Sequence, residues 1–198
     1  MNDQEPAHPW AEGTGRVLIE RAQIKQRVRE LGEVLAQELM DVLEAEGEGP
    51  ADHADRVVML PVMTGAMVFT ADLIRRMPVK LSMRLVTVSS YAGQTTESRG
   101  AAFRGVIPRD LGGRHVVIID DILDTGRTLQ LVRDIVREQN PASVRSCVLL
   151  DKPERREVDI RAEHVGFEIP DAFVVGYGLD YDGYYRNVPD IRVLDASP

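Results

Sequence analysis

The run "HVVIID" (115–120) constrains the fold more than any other stretch of the chain. Its apolar, largely β-branched residues show no polar alternation, so both faces of the strand must be buried, as in a parallel sheet covered by helices on each side. The period then changes. An amphipathic helix is predicted from about Arg127 to Glu138, and "SVRSCVLL" (143–150) reads as a second strand. Strand, helix and strand make a βαβ unit, the connection that parallel neighbours require.

The rest of the chain extends this pattern. Residues 1–15 are rich in Pro, Gly and acidic residues and read as a flexible tail. From Val17 to about Glu46, apolar residues at Ile24, Val28, Leu31, Val34, Leu35, Leu39 and Val42 predict one amphipathic helix, closed by the loop "EGEGPADHAD". "RVVMLPVM" (56–63) predicts a buried strand, "TGAMVFTADLIRRM" a turn and helix ending before Pro78, and "KLSMRLVTVSSY" (80–91) a long strand. "AGQTTESRGAAF" has no apolar period and predicts a loop long enough to act as a lid. "RGVIP" reads as a short strand and "DLGGR" as a turn; beyond residue 150, "HVGFEI", "AFVVGYG" and "IRVL" are short strands. The expectation is an α/β fold with a mostly parallel sheet, and a smaller appendage formed by the last fifty residues.

Composition narrows the classes. A length of 198 residues suits one domain, and 43% hydrophobic with 28% charged residues is ordinary for a soluble globular protein. Apolar runs stop at strand length, short of the ~20 residues a membrane helix needs. The N-terminal stretch lacks the basic start and apolar core of a secretory signal. Cys147, the only cysteine, cannot form an internal disulfide, and its apolar flanks predict a buried thiol. These features point to the cytoplasm. A net charge of −8 argues against a nucleic-acid surface but not against a local phosphate site.

The chemistry sits at the end of the first run, in "VVIIDDILDTGRTLQLV" (116–132). Open α/β sheets bind ligands beyond the carboxyl ends of their strands. Asp120 and Asp121 fall there, and Asp124 to Thr128 form the turn into the helix. A helix N-terminus offers unpaired N–H groups and partial positive charge to a phosphate. Gly126 permits close backbone approach, while Thr125 and Thr128 supply hydroxyl donors. Three carboxylates would repel that phosphate, so they need another ligand part: vicinal hydroxyls, or a divalent metal. A sugar phosphate bound to Mg²⁺ meets both demands. The GxxxxGK[ST] loop is absent. The plainer alternative makes Asp120 and Asp121 strand-end residues and Asp124 the cap of the helix.

"VVIIDDILDTGRTL" resembles the phosphoribosyl-diphosphate signature of type I phosphoribosyltransferases. "LLDKPERREVDI" and "VGFEIPDAFVVGYGLDYDGYYRNVP" are similar to the purine hood of the hypoxanthine (hypoxanthine-guanine) phosphoribosyltransferases, and the likeness spans roughly residues 16–195. It implies the type I fold: a tail over 1–15, then a single domain over 16–198, with a core over about 50–150 and a hood built from 151–198 and N-terminal elements. It implies that Asp120 and Asp121 bind the ribose hydroxyls and help hold Mg²⁺, and that Asp124 accepts the purine's imidazole proton. Thr125, Gly126, Arg127 and Thr128 would carry the 5′-phosphate. Lys152 would donate to the 6-oxo group, Phe173 stack on the base and Val174 offer it backbone groups. Asp180 would line the purine side and reach the diphosphate-bound Mg²⁺, and Arg186 would contact diphosphate. Met63-Thr64-Gly65 aligns with the diphosphate loop, where the family has a non-proline cis peptide, and Ser90 and Tyr91 with the lid. Two departures stand out: Thr64 replaces the usual Lys or Arg, and Ala172 a longer residue.

The activity so implied is Mg²⁺-dependent transfer of phosphoribose to hypoxanthine or guanine, giving IMP or GMP and diphosphate, by a homodimer or homotetramer with small-molecule partners and neither nucleic acid nor membrane. A regulator on the same scaffold is the alternative of another class. The acidic charge, the lack of a helix-turn-helix extension and the presence of Asp124 count against it. The hood motif disfavours pyrimidines, while a preference for xanthine stays open.

Overall fold

The computed structural model describes residues 14–47, 55–88 and 108–194. In chain order the elements are β1 (Val17–Ile19), α1 (Arg21–Ala45), β2 (Val57–Met63), α2 (Met67–Ile74), β3 (Ser82–Met83), β4 (Val86–Thr87), β5 (His115–Leu123), α3 (Arg127–Arg137), β6 (Ser143–Asp151), β7 (His164–Glu168), β8 (Val174–Val175) and β9 (Ile191–Val193). A parallel sheet runs β3-β2-β5-β6-β7, with β4 also on β2; a second sheet, β1-β9-β8, is antiparallel.

Alternation along the central strands sorts side chains into two cores. Val57, Met59, Val117, Ile119, Cys147 and Leu149 face α1, α2 and the small sheet. Val58, Leu60, Val62, Val116, Ile118 and Val148 face α3, packing on Leu129, Val132 and Val136. Helices on both faces explain why β5 reads as unbroken apolar sequence. In α1, Ile24, Val28, Leu31, Leu35 and Leu39 are buried, as their spacing predicts, and Leu43 completes the stripe. Of the other residues expected there, Val34 is 52% exposed and Val42 half-buried, because they sit at its margin.

Two expectations need correction. Val17–Ile19 is not helical; it pairs with β9, and the helix begins at Arg21 behind a capping box made by Glu20 and Gln23. The strand expected over 80–91 is two short pieces, and Pro61 on the neighbouring strand is the reason. Arg84 N–H donates to the Met59 carbonyl (3.0 Å), and the next rung would need the residue 61 N–H to donate to the Arg84 carbonyl. Proline has none, so pairing lapses over residues 84–85 and resumes at Val62↔Val86. The other face of β2 is untouched, and Pro61 stays in register with Ile119. The loop readings over 92–103 and most of "RGVIP" and "EGEGPADHAD" lie outside the described residues.

Charged staples tie the layers together. Arg27 of α1 donates to the Val165 and Gly166 carbonyls of β7 (2.8 and 2.9 Å), which occupies an otherwise open sheet edge. Glu163 receives Ser146 N and Oγ (2.7 and 2.6 Å) and pairs with the buried Arg133 of α3 (2.8 Å). Burial pushes the Glu163 carboxyl up, but the Ser146 bonds and the Arg133 charge outweigh it and leave the group below its ordinary range. A depressed folded-state pKa contributes stability above the unfolded value, and that stability is lost as pH falls through the folded one. Glu163→Ala should therefore cost about 2 kcal/mol at neutral pH, discounted for the part of the carboxylate that faces solvent. In urea titrations the deficit against wild type should shrink as pH drops below the carboxylate range. Cys147, fully buried, has its thiol pushed up to about 12 by desolvation. It should resist iodoacetamide at pH 8 until denaturant unfolds the chain; rapid labelling of the native protein would contradict this packing.

Candidate active site

The carboxyl end of β5 and the turn that follows it line a cleft of about 250 Å³, together with the loop after β2. Asp120, Asp121, Asp124, Thr125, Gly126 and Thr128 all line it, as does Gly65. Asp120 is buried and Asp121 partly so. The register of β5 on β6 pairs Asp120↔Val148 and Ile122↔Leu150 but skips Asp121. There the acids accept the backbone donors themselves: Asp121 N–H donates to Asp120 Oδ1 (3.0 Å), and Ile122 N–H to Asp121 Oδ1 (2.9 Å).

Desolvation pushes the Asp120 carboxyl well above its ordinary range, and the neighbouring Asp121 charge adds to the effect. Asp121 is also raised by burial, though bonds from Asp120 and the Ile122 N–H, and the Arg186 charge, work against it. Two adjacent acids held in this state favour a ligand that brings positive charge or hydroxyl donors.

The cap of α3 decides between the readings of its preceding turn. The N-cap position is Gly126 at φ +86°, with no side-chain cap, so Asp124 does not cap the helix. Thr125 Oγ1 accepts only a long bond from Arg127 N–H (3.4 Å). The leading N–H groups of α3 thus face the cleft beside the acids. A methyl on Gly126 would stand 2.6 Å from Ile160 and 2.8 Å from Val158, so glycine is required by contact as well as by φ.

On the opposite wall the Met63-Thr64 peptide is cis, as the resemblance implied. Thr64 is exposed and does not line the cleft, whereas Gly65 touches the acid pair. A Cβ on Gly65 would lie 1.8 Å from Asp121 Oδ2. Gly178, at φ +100°, packs on the other side; its Cβ would be 2.6 Å from the Gly65 carbonyl. The loop is therefore pressed between β5 and the segment after β8.

The remaining expected residues lie outside this cleft. Arg127 points away into an exposed pair with Glu157 (2.6 Å). Asp180 pairs with Arg186 (2.7 Å) and accepts Gly183 N–H (2.8 Å), and Arg186 also donates to the Gly178 carbonyl (2.5 Å). Phe173 is 42% exposed, edge-on to Tyr181 with centroids 5.6 Å apart, and Val174 is buried in β8. Lys152, at the end of β6, is buried, with Nζ 3.8 Å from Asp171 Oδ1. Ser90 and Tyr91 lie outside the described residues. Sequence reading missed two arginines in the 3-10 turn after Lys152. Arg155 Nε bonds Asp124 Oδ1 (3.2 Å); Arg156 donates to the Leu123 carbonyl (3.0 Å) and the Asp124 carbonyl and pairs with Asp151. The signal was there in "KPERRE", two cations one turn beyond a lysine with Pro153 opening the turn.

A model of the phosphoribosyl transferase domain matches residues 23–182. The chain belongs to the phosphoribosyl transferase family. Among its relatives, the hypoxanthine phosphoribosyltransferase of Salmonella typhimurium is 39% identical over 176 residues, covering 89% of this chain and 93% of that protein. The hypoxanthine-guanine phosphoribosyltransferase of Bacillus subtilis is 40% identical over 182 residues, covering 92% and 94%. Among solved structures, a hypoxanthine phosphoribosyltransferase from Staphylococcus aureus superposes with a TM-score of 0.81 at 34% identity, covering 96% of each chain. One from Trypanosoma cruzi gives 0.78 at 35%, covering 92% of this chain and 98% of that one. The fold is thus that of a type I phosphoribosyltransferase.

Because Gly65 has no room for a side chain against Asp121, Gly65→Ala should reduce phosphoribosyl transfer by at least about 100-fold, since displacing a reacting group by an ångström costs that much. Steady-state kinetics check this; an active Gly65→Ala enzyme would mean the loop is not held against Asp121 during turnover.

Proposed function

We propose that this phosphoribosyltransferase is a purine-salvage enzyme that moves phosphoribose from phosphoribosyl diphosphate to hypoxanthine or guanine, releasing IMP or GMP and diphosphate. The observation that carries the reading is one cleft shared by a buried acid pair, Asp124 and the open amino end of α3, in a chain nearly 40% identical to enzymes of that name.

The ligand divides among the residues by chemistry. Asp120 and Asp121 accept the ribose hydroxyls. Thr125 to Thr128 take the 5′-phosphate, with the α3 amino end supplying N–H donors and partial positive charge. Asp124 accepts the purine's imidazole proton as the ring nitrogen attacks the anomeric carbon, which makes the base the better nucleophile. Lys152, a donor-only ammonium, donates to the 6-oxo group; adenine offers a second donor there and is rejected. Phe173 supplies a ring face for the base and Val174 backbone groups, within a hood formed by the small sheet. The Met63-Thr64-Gly65 loop and Arg186 hold the diphosphate, and Ser90 and Tyr91 belong to a lid that excludes water.

Mg²⁺ fits the acid pair. Among the described residues no cluster of three His, Cys, Asp or Glu side chains is placed to cage a metal. Magnesium keeps waters and binds through one or two carboxylates plus substrate oxygens, which is what Asp120 and Asp121, or Asp180, can offer. Bound there it supplies positive charge for the departing diphosphate. Among the described residues no helix is long and apolar enough to cross a membrane. The family resemblance supports a cytoplasmic homodimer or homotetramer.

Initial rates with hypoxanthine, guanine, xanthine and adenine test the reading, each with phosphoribosyl diphosphate and Mg²⁺. Turnover of the first two, none of adenine, and loss of activity in EDTA are expected; inactivity with every base would overturn it. Asp124→Asn should lower kcat by about 10²- to 10⁴-fold, the range for losing a proton acceptor. Retention of the wild-type kcat would remove Asp124 from that role.

A further inference from the structure

We propose that Arg155 and Asp171 are positioning residues of the purine site, joining the Asp124 carboxylate and the Lys152 ammonium into one ion-pair chain that holds both groups apart and in place before the base arrives. The proposal deepens the function inferred above and rests on it.

Three segments meet to form the chain. Asp124 comes from the turn after β5, Lys152 and Arg155 from the two ends of a single 3-10 turn after β6, and Asp171 from the loop before β8. Arg155 N–H donates to the Lys152 carbonyl (3.1 Å), so the turn fixes the two cations relative to each other. Arg155 Nε is 3.2 Å from Asp124 Oδ1 and 3.8 Å from Asp171 Oδ1; Lys152 Nζ is 3.8 Å from that same Asp171 oxygen. The order is carboxylate, guanidinium, carboxylate, ammonium. Arg156, bonded to the Leu123 and Asp124 carbonyls, fixes the backbone on which Asp124 stands.

The chemistry of a 6-oxopurine explains why such a chain is useful. Its 6-oxo group and its imidazole N7 are neighbours on one edge of the ring, so a donor for the first and an acceptor for the second must stand side by side. An ammonium and a carboxylate so placed attract each other, and a direct pair would occupy both groups and close the site. Among the described residues no ion pair joins Lys152 to Asp124; each is held instead by an intermediary of opposite sign. Those intermediaries face solvent, with Arg155 48% and Asp171 51% exposed, whereas Lys152 is buried. Exposed pairs add little to stability, so what this chain contributes lies in placement and not in folding.

The test uses the full-length chain and the variants Arg155→Ala, Arg155→Lys, Asp171→Asn and the double variant Arg155→Ala/Asp171→Asn, with separate KM values for hypoxanthine and phosphoribosyl diphosphate, kcat and thermal midpoints. Each of Arg155→Ala and Asp171→Asn should raise the hypoxanthine KM by about tenfold or more, as expected when a binding group is displaced. The KM for phosphoribosyl diphosphate and the thermal midpoint should stay near wild type. Arg155→Lys should recover most of the loss, and the double variant should be no worse than the poorer single, because both break the same chain. An unchanged hypoxanthine KM in both singles would overturn the proposal, and so would equal rises in both KM values, a lowered midpoint, or failure of Arg155→Lys to restore function. A wild-type chain inactive on every 6-oxopurine would instead overturn the functional reading beneath it, an outcome distinguishable because it needs no variant.

Discussion

Two carboxyl groups side by side at the buried end of β5 are the constraint around which the rest of the molecule is arranged. Burial raises both, and the Asp121 charge raises Asp120 further, so neither is at ease without a ligand. The surroundings leave them room and little else: a glycine where any side chain would strike Asp121, and a turn whose cap spends no acid on the helix. In a hydrophobic core such a pair would be removed by selection for stability. At a ligand site the same discomfort becomes affinity for whatever brings charge or hydroxyls.

The scaffold makes that arrangement tolerable. Alternation along β2, β5 and β6 buries one face against α1 and α2 and the other against α3, so the strand carrying the acids is clamped from both sides. The contacts that tie this frame together, the Arg133–Glu163 ion pair and the hydrogen bonds from Arg27 to the β7 carbonyls, lie away from the cleft. Beside the cleft the charges are mixed: Arg155, Asp171 and Arg127 are exposed, whereas Lys152 and the Arg156–Asp151 pair are largely buried.

Much of this was legible in the sequence because it is local. The acids, the turn and the helix amino end are contiguous, so strand period and turn chemistry placed them together before any tertiary contact was known. What escaped depends on distant partners. Val17–Ile19 continues into a helical period, and only pairing with β9, some 170 residues later, makes it a strand. The break in the 80–91 strand is caused by a missing donor at Pro61, on a different strand. Arg155 and Arg156 look like solvated charge in "KPERRE" until the fold brings the Asp124 turn against them. Thr64, where the resemblance leads one to expect a cation, was legible as a departure, and its exposed position shows that the loop meets the acids through Gly65.

The small sheet has the order β1-β9-β8, so its central strand is the last of the described elements in chain order. β1 and β8 share no pairing with each other; each is held only through residues 191–193, while the ladder β2-β5-β6-β7 closes without them. Loss of that one three-residue strand would therefore release both β1 and β8 and leave the parallel sheet paired, which makes the small sheet a tie between residues near the two ends of the described chain.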